Sequence, residues 1–340
     1  MKSFASDNYA GVLPEVMTAL NAANAGHARS YGADDITERT RALFREAFGA
    51  EVDVYFVYNG TGANVLSVMG ATRSHQSVLC ADTAHFYNDE STAPETLTGC
   101  RFFPLPADEL GKLTPTVIEK RLIRKGDIHY AQPALISVTQ STEYGTVYSL
   151  DELKNISALA REHGLFFHVD GSRFFNAAAS LGCTLKELAT DTGVDILSLG
   201  GTKAGMMFGE AVVVFNDALK ESIPYQQKQA MQLHSKTRFI AAQFEAMLRN
   251  ELWRKTARHA NAVARMLGEV LNDFPQVQVS KPVQANAVFA TIPVAWNEPL
   301  MAETPFYVWK EEGNEVRLMC AWDTTAEDVL SFKEALQQLA

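Results

Sequence analysis

Three residues in the middle of the chain are of types that could do chemistry together. Asp170 and Arg173 close the stretch Phe167-His168-Val169-Asp170-Gly171-Ser172-Arg173, and Lys203 closes Leu199-Gly200-Gly201-Thr202-Lys203. A lysine amine can condense with an aldehyde, a carboxylate can keep a ring nitrogen protonated and electron-withdrawing, and a guanidinium fork can grip a carboxylate.

Either charge alone would mean little. A single Asp after a strand is ordinarily a turn residue and a single Lys a solvated surface charge. In combination they are the equipment that pyridoxal phosphate chemistry needs.

Two further segments fit that chemistry. Asn59-Gly60-Thr61-Gly62-Ala63-Asn64 lies where an apolar run gives way to a helical pattern, so free backbone N–H groups there, with the Thr61 hydroxyl, would form an anion site for a phosphate. It is not a Walker loop, because no Gly-Lys-Ser/Thr follows. His85 comes shortly after the apolar run 77–80, in a loop from which an imidazole could stack on a planar ring.

The elements that must position these groups alternate in type. Strand-like runs at 52–58, 77–80, 135–138, 165–169, 194–199 and 211–215 are separated by helix-like stretches at 63–71, after Asn88, and from Ser149, where Glu152 completes a capping box. This βαβ rhythm predicts an α/β fold with a mostly parallel sheet and helices on both faces, whose ligands bind beyond the C-terminal ends of the strands. From Gln226 to Leu271 the pattern is helical. Strands then follow at 277–280, 287–292 and 316–320, with a loop and short helix in 293–305 and a closing helix from Ala326, which together predict a smaller C-terminal α+β domain.

The chain has 340 residues, of which 47% are hydrophobic, so it can bury a large core and disorder is excluded. A net charge of −10 without basic runs argues against nucleic acid as a partner. The four cysteines, Cys80, Cys100, Cys183 and Cys320, lack metal-ligand spacing and read as reduced core thiols; no metal site is expected. With no apolar leader and no membrane-length apolar run, a cytoplasmic location is expected.

Taken in order, Ser6-Asp7-Asn8, Tyr31-Gly32 with Asp34 or Asp35 and Thr37, the Asn59-to-Asn64 segment, His85, the His168-to-Arg173 segment, Gly200-Gly201-Thr202-Lys203 and Val316-Arg317-Leu318 resemble the threonine aldolases. These are fold-type I pyridoxal phosphate enzymes of the β-eliminating lyase group, and the resemblance is collinear from Ser6 to Trp322.

It implies a seven-stranded large-domain sheet, a segment 1–20 that contributes to the active site, a cofactor domain over 21–245 and a small domain over 246–340. It makes Lys203 the Schiff-base lysine, Asp170 the partner of the ring nitrogen and His85 the stacked imidazole. Gly60, Thr61 and Arg238 would hold the phosphate. Ser6, Arg173 and Arg317 would hold the substrate carboxylate, and Tyr31 would enter the site of a neighbouring subunit, making a dimer the minimum and a tetramer the expected assembly.

The sequence departs from the family at one place. Where relatives carry a histidine near the substrate hydroxyl, Gln140-Ser141-Thr142-Glu143 puts Glu143, so the base is His85, acting directly or through water, Glu143, or an ordered water. The expected reaction is retro-aldol cleavage of L-threonine, L-allo-threonine and related β-hydroxy-α-amino acids, phenylserine among them, to glycine and an aldehyde. The alternative is another carbanion reaction on the same cofactor, β-elimination or transamination, since the same residues serve any of them. A non-catalytic scaffold would have to keep the whole charged set near a buried cleft without a ligand.

Overall fold

The computed structural model describes residues 2–340. Seven strands form the main sheet: β1 (Asp53–Val57), β2 (Gln76–Ala81), β3 (Arg101–Leu105), β4 (Gln132–Thr139), β5 (Phe166–Gly171), β6 (Ile196–Leu199) and β7 (Glu210–Val214). Their spatial order is β1-β7-β6-β5-β4-β2-β3, with β7 antiparallel to both of its neighbours and the remaining pairs parallel. The inner strands read as continuous apolar runs because both of their faces are covered. β6 and β7 are buried along their whole length.

One face of the sheet carries the helix Gly60–Ala71, built of small and aliphatic residues and buried along most of its length. The other face supports a larger core that includes Phe44, Phe56, Val169, Phe174 and Phe244. Because strand side chains alternate, Phe167 and Val169 of β5 enter that larger core while His168 and Asp170 point to the opposite face.

A second, antiparallel sheet follows, with strands β8 (Gln278–Val279), β9 (Ala287–Thr291), β10 (Tyr307–Lys310) and β11 (Glu315–Met319) in the order β10-β11-β9-β8. It packs with the long helix Leu252–Asn272 and the last helix, Ala326–Gln337, around their own apolar cluster. Residues 293–305 hold a short turn of helix and the helix Asn297–Glu303, as the sequence suggests.

Several expectations need correction. The region from Gln226 to Leu271 is not one helix: Ile223–Gln229, Arg238–Leu248 and Leu252–Asn272 are separate, with Met231, Asn250 and Glu251 in left-handed conformations at the breaks. The helix after β1 begins at Gly60 rather than Ala63, and Asn59 caps it by accepting the Gly62 N–H at 2.8 Å. His85 is not in a loop but opens the one-turn helix His85–Asn88. The Ser149–Glu152 capping box is present.

Residues 2–13 lie across both sheets. The Met319 N–H donates to the Phe4 carbonyl at 2.7 Å, Phe4 packs in the C-terminal cluster, Trp322 Nε1 donates to the Gly11 carbonyl at 2.9 Å, and the Leu13 N–H donates to the Gly205 carbonyl at 2.9 Å. This strap ties the small sheet to the turn that carries Lys203.

Candidate active site

A cavity of about 260 Å³ opens at the C-terminal ends of β5 and β6, lined by Asn8, Gly60, Thr61, His85, Asp170, Lys203 and neighbours. Five of the residues singled out in the sequence thus meet at one place, the edge where open α/β sheets bind ligands.

Asp170 is 1% exposed. Burial opposes its charge, but the Ser172 hydroxyl and N–H donate to Oδ1 at 2.8 and 3.1 Å, Asn64 Nδ2 donates to Oδ2 at 3.0 Å, and His85 adds positive charge nearby. The balance holds its carboxyl below the usual carboxylate range, so it is ionised at neutral pH. His168, on the same face of β5, is the opposite case. Burial pushes it down to about 4, and the neutral ring sits between the Ser137 hydroxyl at 2.8 Å and the Ser198 hydroxyl at 2.9 Å.

Glu90 is a functional candidate that the sequence reading missed, and Asn64, read there only as the end of the phosphate segment, takes a further role. Glu90 is 5% exposed, and its Oε1 accepts both His85 Nδ1 at 3.0 Å and Asn64 Nδ2 at 2.9 Å. One amide nitrogen therefore bridges the carboxylate behind the imidazole to the carboxylate of Asp170. The Glu90 hydrogen bond, set against burial, raises the His85 pKa above its ordinary value. The sequence signal was a weak one: an acid five residues after a candidate histidine, a spacing that becomes a contact only because a single helical turn ends between them.

The phosphate candidates fit an anion. Asn59 uses its side chain on the Gly62 N–H and its carbonyl on the Ala63 N–H, which leaves the Gly60 and Thr61 N–H groups at the open end of a twelve-residue helix. Arg238 lies outside this cavity lining, at the start of the helix Arg238–Leu248, with its Nε buried and unpartnered. Tyr31 is 50% exposed, its N–H donates to the Ser235 carbonyl at 2.9 Å, and Lys228 Nζ lies 4.9 Å from its ring. It does not line the cavity of its own chain.

The carboxylate-binding candidates converge less simply. Arg173 is engaged by Asp7, which is buried at 2% exposure: Nε and Nη2 donate to Oδ2 and Oδ1 at 2.7 and 2.9 Å. Arg317 reaches the same region from β11; its Nη2 donates to the Ala5 carbonyl at 3.3 Å and its buried Nε has no partner. Ser6 caps the short turn Asp7–Tyr9 through the Asn8 N–H, and it is Asn8 rather than Ser6 that lines the cavity.

Glu143 belongs to the same electrostatic cluster. Burial raises its pKa, against the pull of His85, Arg173 and Lys203. Its loop is held by the Gln140 N–H, which donates to the Asp170 carbonyl at 2.8 Å, and by the Gln140 side chain, which pairs with the Tyr148 backbone.

A buried ionised carboxylate, an amine on the next strand-end turn and open N–H donators around one cavity suit a planar pyridinium carrying a phosphate at one end. Two buried atoms facing this region, Asn64 Oδ1 and Glu90 Oε2, have no protein partner. On a seven-stranded sheet of this order, the arrangement defines the class of fold-type I pyridoxal phosphate enzymes.

Comparison with known proteins agrees. Residues 3–293 match the beta-eliminating lyase family. The chain is 46% identical over 329 residues to the low specificity L-threonine aldolase of Pseudomonas aeruginosa, covering 96% of this chain and 95% of that one. It is 44% identical to the enzyme of the same name from a Pseudomonas sp., covering 95% and 93%. The solved structure of Leishmania major threonine aldolase superposes with a TM-score of 0.94 at 29% identity, covering 100% and 99%. The chain therefore belongs to the threonine aldolase branch of the beta-eliminating lyase family.

Among the described residues, no helix is long and apolar enough to cross a membrane, and no cluster of His, Cys, Asp and Glu could hold a metal ion.

Proposed function

We propose that this chain is a pyridoxal phosphate-dependent aldolase that cleaves L-threonine and related β-hydroxy-α-amino acids to glycine and an aldehyde, with Lys203 as the reacting amine. The observation that carries this reading is the buried, ionised Asp170 sharing one cavity with Lys203 and His85. Bound pyridoxal phosphate supplies an aldehyde for the substrate amine and an electron sink for the bond that breaks.

The protein's own residues do the rest. Asp170 keeps negative charge where a ring nitrogen would sit, and Asn64 and Ser172 keep that carboxylate aimed. Gly60 and Thr61 present N–H donors to a phosphate, and the family resemblance adds Arg238 to that task. Arg317, assisted by Arg173 and Ser6, holds the substrate carboxylate and thereby orients the bond between Cα and Cβ for cleavage. A base must take the proton of the β-hydroxyl. His85, oriented by Glu90, and Glu143 are the two side-chain candidates beside an ordered water, and general-base help is worth about 10²- to 10⁴-fold.

The division into a segment 1–20, a cofactor domain 21–245 and a small domain 246–340 is part of this reading, supported by the separate apolar cluster of the second sheet. A homodimer, paired into a tetramer, is a further part, with Tyr31 entering a neighbour's site. Exposed Tyr31, Tyr58, Met207 and Met231 supply apolar surface for such an interface. A cytoplasmic location is supported by four buried, unpaired cysteines.

Substitution of Lys203 by Ala tests the core of the reading: the variant should lose both the visible absorbance of lysine-bound cofactor and threonine cleavage. Retention of both would overturn it.

A further inference from the structure

Glu210 is a buried carboxylate to which the function above gives no task. It opens β7, is 7% exposed, and lines the same cavity as Lys203. Its Oε2 accepts the Gly201 N–H.

The need for that acceptor is local. Lys203 sits in the 3₁₀ turn Thr202–Ala204, whose N-cap is Gly201 and which has no side-chain cap. The leading N–H groups of such a turn require an acceptor. A Cβ at Gly201 would come within 2.6 Å of the Gly209 carbonyl oxygen, so no serine, threonine or aspartate fits there to supply one. The acceptor comes instead from the adjacent antiparallel strand. At the other end Gly205, at φ +108°, closes the turn, and its carbonyl accepts the Leu13 N–H at 2.9 Å. The turn is thus clamped at one end by the next strand and at the other by the N-terminal strap.

Keeping a carboxylate in this place is costly. Burial pushes Glu210 up to about 7, even against the hydrogen bonds of Gly201 and Thr202 and the charge of Lys203. An apolar side chain of the same length would avoid that cost but leave the turn uncapped.

We propose that Glu210 is a positioning residue for Lys203, capping from the neighbouring strand the turn that presents the amine to the cavity. This rests on Lys203 being the reacting amine.

The test compares Glu210→Gln, which keeps an acceptor oxygen, with Glu210→Met, which keeps length and removes it. Apoprotein of each is titrated with pyridoxal phosphate by visible absorbance and fluorescence, its thermal unfolding is followed, and the reloaded enzyme is assayed with L-threonine. The expected result for E210M is about tenfold weaker cofactor binding and about tenfold lower kcat, with KM within about twofold and no loss of apoprotein Tm; E210Q should recover cofactor affinity to within about threefold of wild type. Wild-type affinity and turnover in E210M would overturn the proposal, as would E210Q failing as badly as E210M. K203A, measured alongside, separates the two claims: if it loses the lysine-bound absorbance while E210M is unaffected, only the role of Glu210 fails. If K203A keeps absorbance and turnover, the assignment of Lys203 fails and this proposal falls with it.

Discussion

Arg173 presents two of its donors to Asp7, with Nε and Nη2 at 2.7 and 2.9 Å from the two carboxylate oxygens. The fork that a substrate carboxylate would occupy is therefore filled by a residue of the N-terminal strap, and Asn286 adds a third hydrogen bond to Asp7 at 3.1 Å. Arg173 has only its remaining N–H groups and its charge left to offer a substrate, and Arg317, with an unpartnered Nε, is the freer fork.

Asp7→Asn should destabilise the protein by about 3 kcal/mol or more, because it leaves a buried guanidinium without its counter-charge. Burial opposes ionisation of Asp7, yet the Arg173 charge holds its pKa below the ordinary value. The stability it contributes is thus fully present above the ordinary carboxylate pKa and is lost as pH falls through the lowered one. Urea unfolding of D7N and wild type at neutral and acid pH checks this: the gap should close in acid, and an equal gap at both pH values would contradict it.

Arg317→Ala should raise KM for L-threonine about a hundredfold, with Arg317→Lys recovering little, since a single ammonium cannot replace a planar fork. Arg173→Ala should lower stability as well as affinity. Steady-state kinetics with parallel unfolding curves distinguish the two arginines, and equal effects on both measurements would contradict the unequal roles.

Much of this site could be read in the chain because its residues close apolar runs. Asp170 lies at the C-terminal end of β5 and Lys203 in the turn after β6, and the residue pattern of those strands is unambiguous. β3 was missed because Arg101-Phe102-Phe103-Pro104-Leu105 contains a proline, which an edge strand tolerates and a central strand would not. β10 was missed because Tyr307-Val308-Trp309-Lys310 is largely exposed and shows no clean alternation. Asp7, Asn64, Glu90 and Glu210 owe their roles to partners 166, 106, 5 and 9 residues away, and for the distant pairs no local pattern encodes the contact.

The Glu90 hydrogen bond is the main cause of the raised His85 pKa, opposed by burial. Glu90→Gln should therefore move the His85 titration to lower pH, measured on its ring protons by NMR. Because a raised histidine pKa stabilises the fold only below the folded value, the variant should lose stability at acid to neutral pH and little above it. An unmoved titration would contradict the link.

Between the two candidate bases, Glu143 has a pKa raised by burial against the pull of His85. A base must be ionised to act, so activity carried by Glu143 should rise with pH through a value above the ordinary carboxylate range. Glu143→Gln should then lower kcat about 10²-fold or more and abolish that limb of the pH profile, whereas His85→Asn should leave the limb in place. If neither substitution lowers turnover, an ordered water takes the role.

The account stands most directly on the products. Purified protein loaded with pyridoxal phosphate and incubated with L-threonine should yield glycine and acetaldehyde in equal amounts, and the Lys203→Ala variant should yield neither. Pyruvate-type keto acid with ammonia, or turnover only in the presence of an added keto acid, would contradict it.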